Sequence, residues 1–235
     1  MSLNKNIGRL RLFGFDLNYV IDIGAHLGSF SKLVNSIFPN CKLILFEPNK
    51  KCFEQLKKLN YETYDWLLYK ESNKKLKFYY DSSNDTSTGR SIYIENTKHF
   101  NNKDFDYLIT KKLDDFKSDE NIDLIKLDVQ GAELDILQGA LNTLSKTKFV
   151  LIETSLINYN LGAPLENKII KYMKHIGFKR YINFDQHFWQ TSEENTLGLN
   201  YGDIFQNDLV FINNKVSRFY KLKFFLLKVY IRIKN

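Results

Sequence analysis

Val20-Ile21-Asp22-Ile23-Gly24-Ala25-His26-Leu27-Gly28 and, 15 residues beyond it, Leu43-Ile44-Leu45-Phe46-Glu47-Pro48 form a single pattern. An apolar strand runs into a glycine turn, a helix follows, and a second apolar strand ends in a carboxylate. Gly24 and Gly28 let the backbone approach a ligand at the tip of the first strand. Glu47 stands about 20 residues beyond the turn, where one carboxylate can accept both hydroxyl protons of a ribose. The pattern is half of a nucleoside-cofactor site in a doubly wound α/β fold.

The turn is not the dinucleotide one. That motif, G-x-G-x-x-G, uses its middle glycine to seat a pyrophosphate on the helix N-terminus. Here His26 occupies the middle and the spacing is G-x-x-x-G. Asp22 just before the turn would repel phosphate and welcome a cationic cofactor end. Both features favour S-adenosylmethionine, with its amino group and sulfonium, over NAD. A plain strand-turn-helix with a packing glycine is the simpler alternative, and Glu47 weighs against it.

The chain has 235 residues, 43% hydrophobic and 15% aromatic, which suffices for one α/β domain with a sizeable core. Its two cysteines, Cys41 and Cys52, show neither disulfide nor zinc spacing, which fits a reducing, cytoplasmic setting. Residues 1–18 lack the apolar run of a signal peptide, and no apolar run reaches transmembrane length. The net charge of +7 belongs to residues 215–235, which hold seven cations and no acid. The other 27 basic residues balance the 27 acidic ones, so no basic catalytic face for nucleic acid is expected.

Strands are expected at Tyr19–Ile23, Lys42–Phe46, Glu62–Leu68, Leu76–Tyr80, Ser91–Ile94, Phe105–Thr110, Ile122–Leu127, Phe149–Ile152, Phe178–Phe184 and Leu209–Ile212. Helices are expected at Asn4–Phe13, Ser29–Ile37, Lys50–Leu59, Ala132–Leu144 and Leu165–His175. Their alternation argues for a mostly parallel sheet. Asp81–Arg90 reads as a polar hairpin loop, either solvated or facing substrate. The expected division is residues 1–214 as the catalytic domain and 215–235 as a basic, hydrophobic, helical tail.

The segment Ile125-Lys126-Leu127-Asp128-Val129-Gln130-Gly131-Ala132-Glu133 extends the pattern. Together with Asp22–Gly28, Phe46–Asn49, Leu134–Ala140 and Val150–Glu153, it resembles the FkbM-type S-adenosylmethionine-dependent methyltransferases, in order over residues 10–211. The resemblance implies a Rossmann-like fold with a mostly parallel seven-stranded sheet and helices on both faces. It also implies O-methylation of a sugar, glycan or secondary metabolite.

Four carboxylates fall at expected strand ends: Asp22, Glu47, Asp128 and Glu153. Like charges gathered on one rim repel unless a cation or protons intervene. Glu133, opening a helix, is equally well read as an ordinary helix-start acid. Glu47 is assigned to the ribose, and Asp22 with the Gly24–His26–Gly28 turn to the methionine part. Asp65 and Trp66 are assigned to the adenine, and Asp128 to the neighbourhood of the sulfonium. Asp128, Glu153, His187 and His26 are candidate bases, with His187 expected in a loop over the acceptor. No dedicated metal-ligand spacing occurs.

Nucleic-acid methylation is the alternative activity, and the chain lacks the Asp/Asn-Pro-Pro-aromatic tetrad that cradles an exocyclic amine. A non-catalytic cofactor-binding protein is a second alternative, and an NAD-dependent oxidoreductase a third. The tail suits a peripheral membrane or protein contact as well as a helix packed on the domain.

Overall fold

A computed structural model describes residues 3–81, 89–97, 100, 104–190 and 197–234. Ten strands and seven helices are formed: α1 (Leu3–Leu12), β1 (Tyr19–Ile23), α2 (Ser29–Ile37), β2 (Lys42–Phe46), α3 (Lys50–Leu56), β3 (Glu62–Tyr64), β4 (Leu67–Leu68), β5 (Lys75–Tyr80), β6 (Asp104–Lys111), β7 (Ile122–Leu127), α4 (Glu133–Gln138), α5 (Leu141–Ser145), β8 (Thr147–Ser155), α6 (Glu166–His175), β9 (Arg180–Phe188), β10 (Ile204–Ile212) and α7 (Arg218–Lys234).

The main sheet has seven strands in the order β3-β2-β1-β7-β8-β10-β9. All neighbours are parallel except β10, which runs against both β8 and β9. The chain winds outward from β1 to β3, then returns to add β7 on the other side of β1. That reversal opens a crevice above the carboxyl ends of β1 and β7, where open α/β sheets bind ligands.

Both faces of the sheet are covered, so its strands read as nearly continuous apolar runs. Val20, Leu43, Leu45, Leu124, Phe149 and Leu151 pack on α1, α2 and α7. Their alternate neighbours Ile21, Ile44, Ile125, Val150 and Ile152 pack on α4 and α6. The period of two along each strand sets which residues face which layer.

The structure departs from the sequence expectations at several points. The expected strand Glu62–Leu68 is two strands, because the chain leaves the main sheet at Asp65 and Trp66. β4 then joins β6 and β5 in a separate three-stranded sheet. β5 pairs with β6 rather than with Ser91–Ile94, of which only Ser91 bridges to Tyr79. The expected helix over Ala132–Leu144 breaks at Gly139, where an added Cβ would lie 2.4 Å from the Tyr69 carbonyl oxygen. The end of the helix expected over Lys50–Leu59 tightens to a 3₁₀ turn at Lys57–Leu59. Most of the Asp81–Arg90 loop lies outside the described residues.

The tail forms α7, and Phe224, Leu227 and Ile231 enter the same core cluster as α1 and β8. Among the described residues no helix is long and apolar enough to cross a membrane. Cys41 and Cys52 are free thiols.

Candidate active site

The crevice above β1 and β7 is a cavity of about 340 Å³. Its walls include Gly24, His26, Glu47, Trp66, Asp128 and Glu153. The β1 turn forms the floor of one end. Gly24 has φ 75° and packs so tightly that an added Cβ would lie 1.9 Å from the Asp128 carbonyl oxygen. Glycine is therefore the residue that lets the tips of β1 and β7 meet.

Glu47 is held by two backbone N–H groups. His26 N donates to Oε2 and Asn49 N to Oε1, each at 2.8 Å. An ionised carboxylate has about four acceptor positions, so each oxygen keeps one for a ligand hydroxyl. Burial raises the Glu47 carboxyl, and the two N–H donors act against that rise. His26 itself takes a positive φ of 50°, a left-handed turn that aims its N–H at Glu47. Trp66 lies against Phe46, and Phe46 stacks on Tyr64, which gives the Glu47 end of the cavity an aromatic wall.

The other end is acidic. Lys126 and Asp22 are register partners on β7 and β1. Lys126 Nζ lies 3.1 Å from Asp128 Oδ2 and 3.7 Å from Asp22 Oδ1. Asp22 is fully buried, and its Oδ2 accepts from Ser31 Oγ at 2.6 Å. Burial raises the Asp22 carboxyl, and Lys126 opposes that. Burial also acts against the Lys126 charge, but Asp128 and Asp22 more than offset it and hold the ammonium protonated. Burial would raise Asp128 too, yet Lys126 beside it brings this carboxyl below the ordinary range.

Glu153 behaves in the opposite way. Burial, then the charges of Asp128 and Asp208, push its carboxyl well above the ordinary carboxylate range. Gln130 Nε2 bridges the pair, donating to Asp128 Oδ1 and to Glu153 Oε2, each at 3.1 Å. Gln130 sits at φ 55°, the second non-glycine left-handed residue of this cleft. Such conformations gather where surrounding structure must aim a side chain. Gln206 Nε2 adds a weaker bond to Glu153 Oε2 at 3.3 Å.

Behind Glu153 stands Asp208, its cross-strand neighbour on β10. Two carboxylates directly opposite one another are unfavourable without a cation or proton between them. His187 supplies one: its Nε2 lies 3.2 Å from Asp208 Oδ2 and 3.7 Å from Glu153 Oε1. The hydrogen bond to Asp208 raises the His187 pKa above 6.5. Glu153, His187 and Asp208 bring ligand atoms within 4.8 Å of one another, a geometry that could also hold a metal ion.

Of the residues singled out from sequence, Gly24, His26, Glu47, Trp66, Asp128 and Glu153 meet in this one cavity. Asp22 lies beneath it, buried against Ser31 and Lys126, and acts on it through Lys126. Gly28 faces Leu56 and Leu59 instead. Asp65 is exposed and does not line the cavity. His187 is on strand β9 rather than in a covering loop, and lines the neighbouring groove with Trp189. Glu133 caps the turn after β7, accepting from Val129 N and Gly131 N, while burial pushes its carboxyl up to about 7.

Sequence reasoning missed Lys126, Gln130, Gln206 and Asp208 as site residues. Two signals were available. Lys126 interrupts the apolar stretch Leu124–Leu127, and Asp208 immediately precedes the apolar run Leu209–Ile212.

A doubly wound sheet with this strand order, a glycine turn after β1 and an acid ending β2 defines a Rossmann-like methyltransferase fold. The chain belongs to the Methyltransferase FkbM domain family, whose model matches residues 22–180. Over 152 residues it is 30% identical to the 2-O-methyltransferase NoeI of Sinorhizobium fredii (strain NBRC 101917 / NGR234). That alignment spans 58% of this chain and 63% of the relative. The N-terminal domain of EvdMO1, crystallised with SAH bound, shares the fold at a TM-score of 0.50 and 6% identity. The match covers 90% of this chain and 80% of that one. A precorrin-6y C5,15-methyltransferase from Geobacter metallireducens aligns at a TM-score of 0.45 and 13% identity, over 90% and 88% of the two chains.

Proposed function

We propose that the protein transfers a methyl group from S-adenosylmethionine to a hydroxyl of a sugar, glycan or secondary metabolite. One observation carries this reading: a single cavity joins a ribose-type carboxylate, Glu47, to a pair of carboxylates with opposed proton affinities, Asp128 and Glu153. Family membership and the 2-O-methyltransferase relative support it.

The residues fit the donor. Glu47 has acceptor positions left for both ribose hydroxyls. Trp66 and Phe46 offer the adenine an aromatic flank, and the Gly24 turn leaves space for the methionine part. When bound, the donor supplies a methyl carbon attached to a positively charged sulfur leaving group. Asp128, held ionised by Lys126, places a negative charge where that cation would lie.

Two carboxyl groups whose surroundings drive their proton affinities apart divide the work between them. Asp128 stays an anion and stabilises positive charge. Glu153 has the raised proton affinity that a base working near neutral pH requires. Gln130 and Gln206 both donate to Glu153 Oε2 and fix this carboxyl at the cavity wall, where it would take the acceptor's proton. The bound donor would supply the methyl group to the acceptor oxygen and leave as the neutral thioether, and Glu153 would take the hydroxyl proton that the acceptor gives up. His187 and Asp208 hold Glu153 in place from behind. Alignment of acceptor and methyl group within the cleft supplies much of the remaining rate.

Two measurements test the assignment. Glu47→Ala should weaken S-adenosylmethionine binding about 100-fold by isothermal titration calorimetry, from two lost charge-assisted hydrogen bonds. Unchanged affinity removes the ribose role. Turnover should also persist in excess chelator, because this scheme routes the proton through Glu153. Activity lost to EDTA and restored by magnesium would reassign Glu153, His187 and Asp208 as metal ligands.

A further inference from the structure

Helix α7 is apolar on two faces. Phe224, Leu227 and Ile231 lie inward, at most 2% exposed. Phe219, Leu222, Phe225, Leu226, Val229 and Ile233 lie outward, from 38% to 76% exposed. At about 100° per residue, these six fall within an arc of about 120° on the side away from the core. This explains why the tail sequence shows no single clean stripe.

Four cations border that outer arc. Lys221, Lys228 and Arg232 follow along one side, and Lys223 lies on the other. Lys228 Nζ donates to the Tyr181 carbonyl at 3.0 Å and Lys223 Nζ to the Gly14 carbonyl at 2.7 Å, which hold the helix on the domain. At the adjoining end of α1, Leu12 adds another exposed apolar side chain, 73% accessible. Phe13 beside it packs edge-on against Tyr230 of α7.

We propose that α7 seats the protein on the surface of an anionic lipid bilayer, with its outer apolar face in the headgroup–acyl boundary. A helix 17 residues long that lies flat, apolar outward and edged by lysine and arginine, has the form such a surface takes up. The charge selects this occupant. Residues 215–235 hold seven cations and no acid, whereas the remainder of the chain is neutral. A second copy meeting the same face about a two-fold axis would bring Lys221 and Arg232 against their own images, with no acid on α7 to pair them.

The orientation follows from the contacts of α7 with the sheet. Tyr220 meets Lys148 and Phe224 stacks on Phe149, both at the start of β8. Glu153 lies toward the other end of that strand. The contacts that hold α7 thus lie at the opposite end of β8 from the cavity, and the helix does not cover the cleft. Membrane seating is thus separate from the proposed chemistry.

Flotation of the full chain with phosphatidylcholine vesicles containing phosphatidylglycerol, against phosphatidylcholine alone, tests the proposal. The protein should float with the anionic vesicles only and be released by high salt. Leu222→Glu/Leu226→Glu should abolish flotation. Lys221→Gln/Arg232→Gln should weaken it about 30-fold. Both variants change outward-facing residues, so their S-adenosylmethionine affinity and thermal melting should match the parent. Absence of the parent protein from the floated fraction overturns the proposal, as does flotation of the glutamate variant. Dimers that the glutamate variant dissolves, without vesicle binding, would assign the face to a second copy instead.

Discussion

Lys126→Met is expected to destabilise the folded protein by about 3–5 kcal/mol at pH 7.5, as when one partner is removed from a buried ion cluster. Lys126 is the cation between buried Asp22 and Asp128. The methionine fills much the same space, so the loss comes from charge rather than from a void. Its pH dependence distinguishes it from a packing defect. In the parent, Asp128 has a lowered pKa, so its stabilisation is present above the unfolded value of 3.8 and is lost as pH falls through the folded value. Without Lys126 both carboxyls are raised in the folded state. A raised carboxyl favours folding below its unfolded pKa and loses that advantage as pH rises through the folded one. The difference between parent and variant in urea denaturation should therefore narrow steadily from pH 7.5 toward pH 4. A difference that stays constant across this range would show that the lysine acts through packing alone.

Glu153→Gln is expected to lower kcat between about 100- and 10,000-fold at saturating donor, the range for losing a positioned general base. The amide keeps the shape and can still meet Gln130 and Gln206. Donor affinity should therefore change little, which separates this variant from Glu47→Ala. In the parent, kcat should rise with pH along a limb set by the raised Glu153 carboxyl, well above 4.5. That limb should vanish in the glutamine variant. A variant with full turnover and the parent's pH profile would leave catalysis to alignment, with no base at this position. Because Asp128 and Glu153 share one cleft and one glutamine bridge, the limb belongs to the pair as a titrating unit.

The parallel half of the fold was legible because its strands are buried on both faces. Apolar runs such as Leu43–Phe46 and Phe149–Ile152, with helix-length segments between the strands, admit few other arrangements. Glu47 was legible for a local reason: an acid that directly follows the apolar strand after the glycine turn is located by spacing along the chain. The small sheet was harder. Glu62–Leu68 reads as one strand, yet Tyr64 pairs with β2 and Leu67 with β6, and nothing local marks the change of partner.

His187 shows the same limit at the site itself. In sequence it lies in a polar segment and resembles a loop residue. Antiparallel pairing of β9 with β10, shifted by irregularities near Asp208, carries it to within hydrogen-bonding distance of that acid. A period-two pattern says which face a strand residue takes but not which strand lies beside it.

The chain's own order of residues determined the doubly wound class, the glycine turn, the carboxylate that ends β2 and the concentration of positive charge in the last 21 residues. These depend on spacing and composition, which act over a turn or a strand. The tertiary structure alone decided that Asp22 lies buried under the cleft, that Lys126 neutralises it, and that Asp128 and Glu153 hold protons in opposite ways. It also decided that α7 keeps one apolar face for the core and leaves another outside. Proton affinity and exposure depend on what surrounds a group in space, and residues as far apart as Asp22, Lys126, Glu153 and Asp208 become neighbours only when the sheet closes around them.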